Sequence, residues 1–293
     1  MDVANVCVVG AGLMGSGIAQ VCACAGLEVS LHDVSSEALD RALRNIAWSA
    51  GKLVDKGKVK GPLEAIMGRI APSVDFGAAL ESQLCIEAVF EKLELKQEVF
   101  GKLASLVNPE TLLASNTSAI PISTLAAGVP CPERVLGLHF FSPVPMMDAV
   151  EVVRSQFTSD EVFAQGRAFV ERIGKVPIMV HKDVPGFLIN RINFPALIEA
   201  LHLVEAGVGT VEDIDKGLRL ASGRRMGIFE TGDMVGLDVT CGALTALYEE
   251  TKDPRWFPPA ILRRKVMAGH LGRKTGKGWY EYNPDGIRKT QEK

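Results

Sequence analysis

The apolar positions in the first half of the chain form short runs, separated by stretches with the periodicity of an amphipathic helix. Residues 38–46 place apolar side chains three and four positions apart, which defines one helical face. A second helical stretch, LKQEVFGKLASLV, lies between two later runs. Strands that alternate with helices predict an α/β domain with a parallel, doubly wound sheet. The runs that predict strands are residues 3–9, EVSLHD, QLCIEAVFE, TLLASNTS and RVLGLHFF.

The pattern changes after the segment VPGFLINR. Strand signals stop there, and helical stripes dominate from Phe187 to about Arg273. Pro185 and Gly186 mark a natural boundary, because the residue before a proline resists the helical conformation. The sequence therefore predicts a sheet domain over residues 1–184, followed by an all-α domain over residues 185–293.

Composition excludes several classes of protein. Of the 293 residues, 47% are hydrophobic and 23% charged, which is typical of a globular protein with a substantial core. A net charge of −3 gives no electrostatic reason to expect nucleic acid or an anionic membrane as a partner. The stretch between Asp2 and Glu28 has no charge, but glycines interrupt it, which favours a strand–turn–helix over a membrane span.

The six cysteines are scattered in apolar surroundings without CxxC spacing. They indicate reduced thiols and a cytoplasmic location. No metal site is predicted, because Cys22 and Cys24, two positions apart on a helix, point in different directions.

The first predicted strand runs into the motif GAGLMG, which opens a helix. Gly10 permits the tight turn, Gly12 admits a pyrophosphate, and Gly15 lets the helix pack close to the strand. Asp33, at the end of the second strand, is suited to bonding the ribose hydroxyls of an adenosine and would repel a 2′-phosphate. With no basic residue before Arg41, the pattern favours NAD over NADP. The alternative is an ordinary βα turn that binds nothing.

Polar side chains lie at or just past the ends of the later predicted strands. Because ligands of doubly wound sheets bind at the carboxyl ends of the strands, these side chains are expected to face one cleft. His139 is the candidate base among them, although a histidine beside aromatic residues is also compatible with simple packing. The residues in question are Glu87, Glu91, Asn116, Ser118 and His139.

The segment from Trp48 to Gly61 has a different character. It is rich in lysine and is predicted to form the end of a helix and its exit. A solvated cationic face is one interpretation, and a site for an anionic group such as a phosphorylated carrier is the other. The lysines are Lys52, Lys56, Lys58 and Lys60.

The chain resembles the 3-hydroxyacyl-CoA dehydrogenases, above all the short bacterial 3-hydroxybutyryl-CoA dehydrogenases. The likeness extends over nearly the whole length. This resemblance implies an N-terminal Rossmann domain, a helical domain that forms a homodimer, and NAD-linked oxidation of an (S)-3-hydroxyacyl-CoA. Seven motifs carry it in order: VVGAGLMGSGIAQ, IEAVFEKLELKQ, LASNTSAIPIS, GLHFFSPVPMMDAVEVV, PGFLINR, MGIFETGDMVGLD and GRKTGKGWYEY.

The resemblance also implies roles for individual residues. It makes His139 the general base, Glu151 the carboxylate that stabilises its imidazolium, and Ser118 and Asn190 the contacts to the reacting substrate. Ser49 and Lys56 are the implied coenzyme A contacts, which favours the anionic-site interpretation of the lysine segment. The implied cofactor contacts are Gly10, Gly12, Leu13, Met14, Gly15, Asp33, Glu91, Lys96, Asn116, Ser118, Ser142 and Lys274.

Two departures from the family pattern leave the substrate open. Ser142 stands where the family usually has asparagine, and Arg224 with Arg225 replaces a proline-bearing run. The arginines are either plain surface residues or a binding site for an anionic group of the substrate. That group would be the second carboxylate of a dicarboxylyl-CoA or a coenzyme phosphate. A free-acid dehydrogenase such as gulonate dehydrogenase and a non-catalytic NAD-binding protein are also compatible with the sequence.

Overall fold

The computed structural model describes residues 3–289. The chain divides into two compact units, one ending at Phe187 and one beginning at Leu188. Among residues 3–289, no helix combines the length and the apolar character needed to cross a bilayer.

The N-terminal unit contains an eight-stranded sheet with the order β3-β2-β1-β4-β5-β6-β7-β8. The first six strands are parallel, which confirms the predicted doubly wound sheet. The sheet is not parallel throughout, because β7 runs antiparallel to β6 and β8 runs parallel to β7. The strands are β1 (Asn5–Val9), β2 (Glu28–His32), β3 (Ile70–Ser73), β4 (Leu84–Glu87), β5 (Leu112–Ser115), β6 (Val135–Phe140), β7 (Ala149–Arg154) and β8 (Val176–Val180).

Three strands, β3, β7 and β8, lie outside the predicted runs, and two of them, β3 and β8, contain a proline that weakens the strand signal. Pro72 lies in β3 and Pro177 in β8, and these are the two edge strands of the sheet. A proline cannot donate to a strand ladder and is therefore tolerated mainly at a sheet edge.

Helices cover both faces of this sheet. Successive residues of β1 point to opposite faces, so that Val6 and Val8 join one buried cluster while Cys7 and Val9 join the other. The first cluster includes buried residues of α1, α2 and α6, and the second includes those of α4 and α5. The helices of this unit are α1 (Leu13–Cys24), α2 (Ser36–Asp55), α3 (Leu63–Met67), α4 (Leu93–Leu106), α5 (Ile122–Ala126) and α6 (Asp160–Arg172).

The C-terminal unit is helical, as predicted. Two buried aspartates fasten its segments together. Asp215 accepts hydrogen bonds from the amides of Phe229 and Glu230, and Asp233 accepts them from the amides of Trp279 and Tyr280. The motif GRKTGKGWYEY is thereby tied to α9. The helices are α7 (Ile189–Glu205), α8 (Val211–Ser222), α9 (Ile228–Val235), α10 (Leu237–Thr251) and α11 (Ala260–Met267).

Candidate active site

The glycine-rich turn joins β1 to α1 in a geometry that requires two of its glycines. Gly10 has a φ of +108°, and a Cβ there would lie 2.6 Å from the carbonyl oxygen of Ala88. A Cβ on Gly15 would lie 1.7 Å from the carbonyl oxygen of Gly10, so the close packing of helix on turn excludes any side chain. Gly12 is different, because a Cβ there would meet no described atom within 4 Å. The open side of the turn at Gly12 fits the approach of a phosphate group.

Asp33 lies directly beside this turn. Its Oδ2 accepts a hydrogen bond of 2.8 Å from the Ala11 amide, and its Oδ1 accepts one of 3.0 Å from the Ser35 amide. Both carboxylate oxygens therefore have fixed positions at the carboxyl end of β2. Helix α1 begins without a side-chain cap and with no acidic residue in its first turn, so the positive end of its dipole at the glycine turn suits an anionic group.

Three large apolar side chains are exposed around this end of the sheet, a feature that the sequence pattern did not single out. Leu13 is 71% exposed at the start of α1, Val34 is 86% exposed after Asp33, and Phe90 is 81% exposed after β4. Apolar side chains next to open backbone amides suit a ligand with both aromatic rings and phosphates. The residues present therefore fit a dinucleotide.

A buried ion cluster lies where β4 ends. The Lys96 ammonium is 1% exposed and lies 2.7 Å from Glu87 Oε1 and 3.2 Å from Glu91 Oε2. Glu87 is fully buried, and its Oε2 accepts a 2.6 Å hydrogen bond from the Ser115 hydroxyl. Protein oxygens surround the ammonium, including the carbonyl of Val89 at 3.3 Å, and the cofactor contact that the resemblance implies for Lys96 stays a prediction. The lysine thus fastens α4 to the end of β4.

Glu91 extends this cluster to the turn after β5. Its Oε1 accepts hydrogen bonds from the Thr117 hydroxyl and from the amides of Ser118 and Ala119, the latter two at 3.0 and 3.1 Å. Burial raises the pKa of the Glu91 carboxyl, but the charge of Lys96 and these hydrogen bonds outweigh it, so the pKa lies below its usual value. The ionised carboxylate therefore holds the turn that carries Ser118.

Asn116 joins the same turn to the next strand. Its Oδ1 accepts a 2.9 Å hydrogen bond from the amide of Phe140, and its own amide donates to the Glu87 carbonyl at 2.8 Å. Asn116 is 9% exposed. It therefore connects the ends of β4, β5 and β6, immediately beside His139.

His139 and Glu151 are opposite each other in the antiparallel pair of β6 and β7. His139 Nδ1 lies 2.7 Å from Glu151 Oε2, with the glutamate fully buried and the histidine 5% exposed. The rings of Phe141 and Phe187 pack against the imidazole, with centroids 4.7 and 5.6 Å away. With Nδ1 bonded to the carboxylate, the ring is held in one orientation and Nε2 is the nitrogen suited to proton transfer.

The structure brings together most of the predicted site residues of the N-terminal unit. The glycine turn, Asp33, Glu91, Asn116 and Ser118 follow the carboxyl ends of β1, β2, β4 and β5. His139 is the second-last residue of β6, and Ser142 follows β6 two residues after Phe140.

The remaining predicted site residues lie elsewhere. Ser49 is half-buried on α2 and Lys56 is exposed at its end. Asn190 is the second residue of α7 in the C-terminal unit, and in that unit Lys274 Nζ lies 2.6 Å from Asp238 Oδ1. The roles of all four stay predictions.

Comparison with known proteins identifies the family. The family model for the NAD-binding domain of 3-hydroxyacyl-CoA dehydrogenases matches residues 5–184. The family model for the C-terminal domain of the same enzymes matches residues 186–282. The chain belongs to the 3-hydroxyacyl-CoA dehydrogenase family. Its cofactor is therefore NAD, in agreement with the fit of the glycine turn and Asp33, and it is an oxidoreductase.

Individual relatives agree with this assignment. A probable 3-hydroxybutyryl-CoA dehydrogenase from Deinococcus radiodurans is 42% identical over 94% of this chain and 99% of its own length. The 3-hydroxyadipyl-CoA dehydrogenase of Escherichia coli is 39% identical over 97% of this chain and 60% of its own length. The solved structure of (S)-3-hydroxybutyryl-CoA dehydrogenase from Ralstonia eutropha superimposes with a TM-score of 0.87 at 38% identity, covering 96% of this chain and all of that one.

Sequence reasoning missed the polar framework behind the site. Glu87 was expected to face the cleft, but it is buried beneath it as the partner of Lys96 and Ser115. Thr117, which bonds Glu91, was not singled out. The available signal was the position of these residues at strand ends, which indicates a shared edge but not which side chain bonds which.

Proposed function

We propose that this protein interconverts (S)-3-hydroxyacyl-CoA and 3-oxoacyl-CoA with NAD, acts on short acyl chains such as 3-hydroxybutyryl-CoA, and uses His139 as its general base. The observation that carries the proposal is the buried His139–Glu151 pair at the carboxyl end of β6, in a chain of this family. The pair lies at the same carboxyl-terminal end of the sheet as the glycine turn and Asp33, the residues proposed to bind the cofactor.

The chemistry proposed for the pair follows from its geometry. His139 Nε2 takes the proton of the substrate hydroxyl, while Glu151 on Nδ1 fixes the tautomer and stabilises the resulting imidazolium. When bound, NAD accepts the hydride from C3 of the substrate. Because both residues are shielded from bulk water, their interaction is stronger than that of an exposed pair. Positioned proton transfer of this kind contributes on the order of 10² to 10⁴ in rate.

Ser118 is proposed to hydrogen-bond the reacting oxygen. Its amide is bonded to Glu91 at 3.0 Å, which fixes the turn, and its side chain is partly exposed at the same edge as His139. A hydroxyl there would stabilise the oxygen as its proton leaves. Asn190 is the further substrate contact that the family resemblance supports.

The proposal is tested by following NADH absorbance across a panel of substrates. We expect turnover of (S)-3-hydroxybutyryl-CoA, less with longer 3-hydroxyacyl chains, and none with the free hydroxy acids. A free-acid dehydrogenase would turn over gulonate or 3-hydroxybutyrate without the thioester. A protein that binds NADH but transfers no hydride to any member of the panel would be a non-catalytic relative, and the proposal would be wrong.

A dicarboxylyl-CoA is the second candidate substrate. Arg225 is exposed and Arg224 half-buried in the loop between α8 and α9, and no ion pair to either is found among residues 3–289. Guanidinium groups suit a second carboxylate, and one relative is named for such a substrate, 3-hydroxyadipyl-CoA. If Arg225 binds the second carboxylate, Arg225→Ala lowers kcat/KM for 3-hydroxyadipyl-CoA about tenfold and leaves kcat/KM for 3-hydroxybutyryl-CoA unchanged. Equal rates with both substrates, unaffected by Arg225→Ala, would end the dicarboxylyl hypothesis.

We also propose a cytoplasmic homodimer that assembles through the C-terminal unit. Large apolar side chains exposed on this unit support the interface, among them Val208 at 71%, Leu220 at 78% and Met267 at 86%. Light scattering is expected to give twice the mass of the 31.5 kDa chain. A monomer mass at working concentrations would contradict the dimer.

A further inference from the structure

One buried residue beside the imidazole has an unfavourable backbone conformation. Phe187 is 1% exposed and has a φ of +49°, in the left-handed region that bulky residues rarely adopt. Among residues 3–289, two other residues besides glycine have a positive φ, Cys131 and Lys252, and both are exposed. Within the described part of the chain, Phe187 is therefore the one such residue that lies in a core.

The turn that leads into Phe187 does not require this conformation. The Phe187 amide donates a 2.8 Å hydrogen bond to the carbonyl of Val184, which closes a four-residue turn. Pro185 and Gly186 occupy its two central positions, and Gly186 has a φ of +81°. This pattern is typical of a type II turn, which needs a positive φ only at its third residue. The turn therefore gives no reason for a left-handed backbone at Phe187.

The ring of Phe187 packs against the candidate base. Its centroid lies 5.6 Å from that of the His139 imidazole, and the ring of Phe141 lies 4.7 Å from the same imidazole. The hydrogen bond from Nδ1 to Glu151 leaves an imidazole some freedom to tilt, because one hydrogen bond does not define the plane of the ring. Neighbouring side chains that are themselves locked in place remove that freedom.

We propose that Phe187 is a positioning residue for His139, and that its strained backbone persists because it directs the ring onto the imidazole. This inference rests on the proposed role of His139 as the base. Strained residues persist where the surrounding structure over-determines them, and they concentrate at active sites. Phe187 belongs to the second buried cluster, together with Val153 of β7 and Val180 of β8, so the core holds the ring in place. Because the direction of a side chain follows its backbone, a φ of the usual sign would point this ring elsewhere.

Two matched substitutions in this cluster test the proposal. Phe100 belongs to the same cluster, is fully buried, and lies on α4. Replacing either phenylalanine with leucine removes a ring from the same core, so the midpoints of thermal unfolding should fall by similar amounts. We expect Phe187→Leu to lower kcat for (S)-3-hydroxybutyryl-CoA oxidation about tenfold, with both KM values within about twofold of wild type. Phe100→Leu should keep the wild-type kcat. Equal losses of kcat in the two variants, or no loss in Phe187→Leu, would overturn the proposal.

Glycine at position 187 separates the role of the ring from that of the backbone. Glycine adopts a φ of +49° without strain, so a residue that served the chain reversal alone could be replaced by it. We expect Phe187→Gly to lower kcat more than Phe187→Leu does, because no side chain remains beside the imidazole. Circular dichroism at the assay temperature establishes that the variant is folded. A folded Phe187→Gly variant with the wild-type kcat would contradict the proposal.

A double-mutant cycle shows whether Phe187 acts through His139. In the His139→Gln background the imidazole that Phe187 positions is gone, so Phe187→Leu should have little further effect on kcat. A residue that supports the fold alone would lower kcat by the same factor in both backgrounds. Equal factors in the two backgrounds would therefore show that Phe187 does not position the base.

Nuclear magnetic resonance of the imidazole separates this inference from the proposed function, because it requires no turnover. The proton that His139 Nδ1 shares with Glu151 exchanges with water faster when the ring is loosely held. We expect this exchange to be about tenfold faster in Phe187→Leu and unchanged in Phe100→Leu. If the exchange responds in this way but His139→Gln retains the wild-type kcat, the proposed base is wrong and the positioning of the imidazole stands. If Phe187→Leu exchanges this proton as slowly as wild type, the positioning role is wrong even when His139 is the base.

Discussion

His139→Gln is expected to lower kcat for (S)-3-hydroxybutyryl-CoA oxidation at least a hundredfold while leaving NAD binding unchanged. Glutamine keeps a polar side chain of similar reach but cannot accept the hydroxyl proton, so the variant loses the contribution of general base catalysis. The imidazole is bonded to Glu151 at 2.7 Å and packs against two phenylalanine rings. We therefore expect the substitution to disturb these local contacts without unfolding the protein. Stopped-flow measurement of NADH formation, with calorimetric titration of NAD, checks both parts.

A second histidine of the same unit provides the control. His181 is exposed directly after β8 and packs edge-on against Phe163. His181→Gln should retain kcat within about twofold of wild type, as surface substitutions usually have small effects. If His139→Gln retained more than a tenth of the wild-type kcat, His139 would not be the general base.

Lys96→Met is expected to destabilise the protein by about 3–5 kcal/mol, because it leaves the carboxylate of Glu87 buried without its cation. Glu87 is fully buried, and its other oxygen is bonded to Ser115, so water cannot easily replace the ammonium. In a unit of this size the midpoint of thermal unfolding should fall by roughly 10 °C. Circular dichroism during heating measures it.

Helix α4 supplies the matched control for this variant as well. Lys102 forms an ion pair of the same length, 2.7 Å, with Glu98, but both side chains are more than half exposed. Lys102→Met should cost less than about 1 kcal/mol, since solvent screens exposed pairs. Adding Glu87→Gln to Lys96→Met should restore part of the lost stability. If Lys96→Met and Lys102→Met unfolded at the same temperature, the buried cluster would not stabilise the protein more than an exposed ion pair does.

The parts of the fold that follow from local pattern were predictable from the sequence. The continuous apolar run of β1 and the helical stripe of α2 each reflect how an element meets the core, on two faces for the strand and on one for the helix, and both agree with the structure. The glycine turn was predictable for a related reason, because Gly10 and Gly15 satisfy steric demands that act between neighbouring elements. The proline-bearing edge strands were not, since sheet neighbours outweigh the local signal there.

The site was predictable only in part. Position at strand ends indicated that Asn116 and His139 share an edge, but the pairing of His139 with Glu151 depends on the register of two antiparallel strands, which the family resemblance supplied. The cluster of Lys96 with Glu87 and Glu91 depends on how α4 docks against β4 and the turn after β5. Such contacts arise from tertiary packing, and residue spacing carries little information about them.

The most direct test of His139 as the base is a crystal structure of the protein with NAD and acetoacetyl-CoA bound together. We predict that His139 Nε2 lies within hydrogen-bonding distance, roughly 2.6–3.2 Å, of the oxygen on C3 of the ligand, with Nδ1 still bonded to Glu151. A complex in which that oxygen faces another acid–base group, with the imidazole out of reach, would contradict this role.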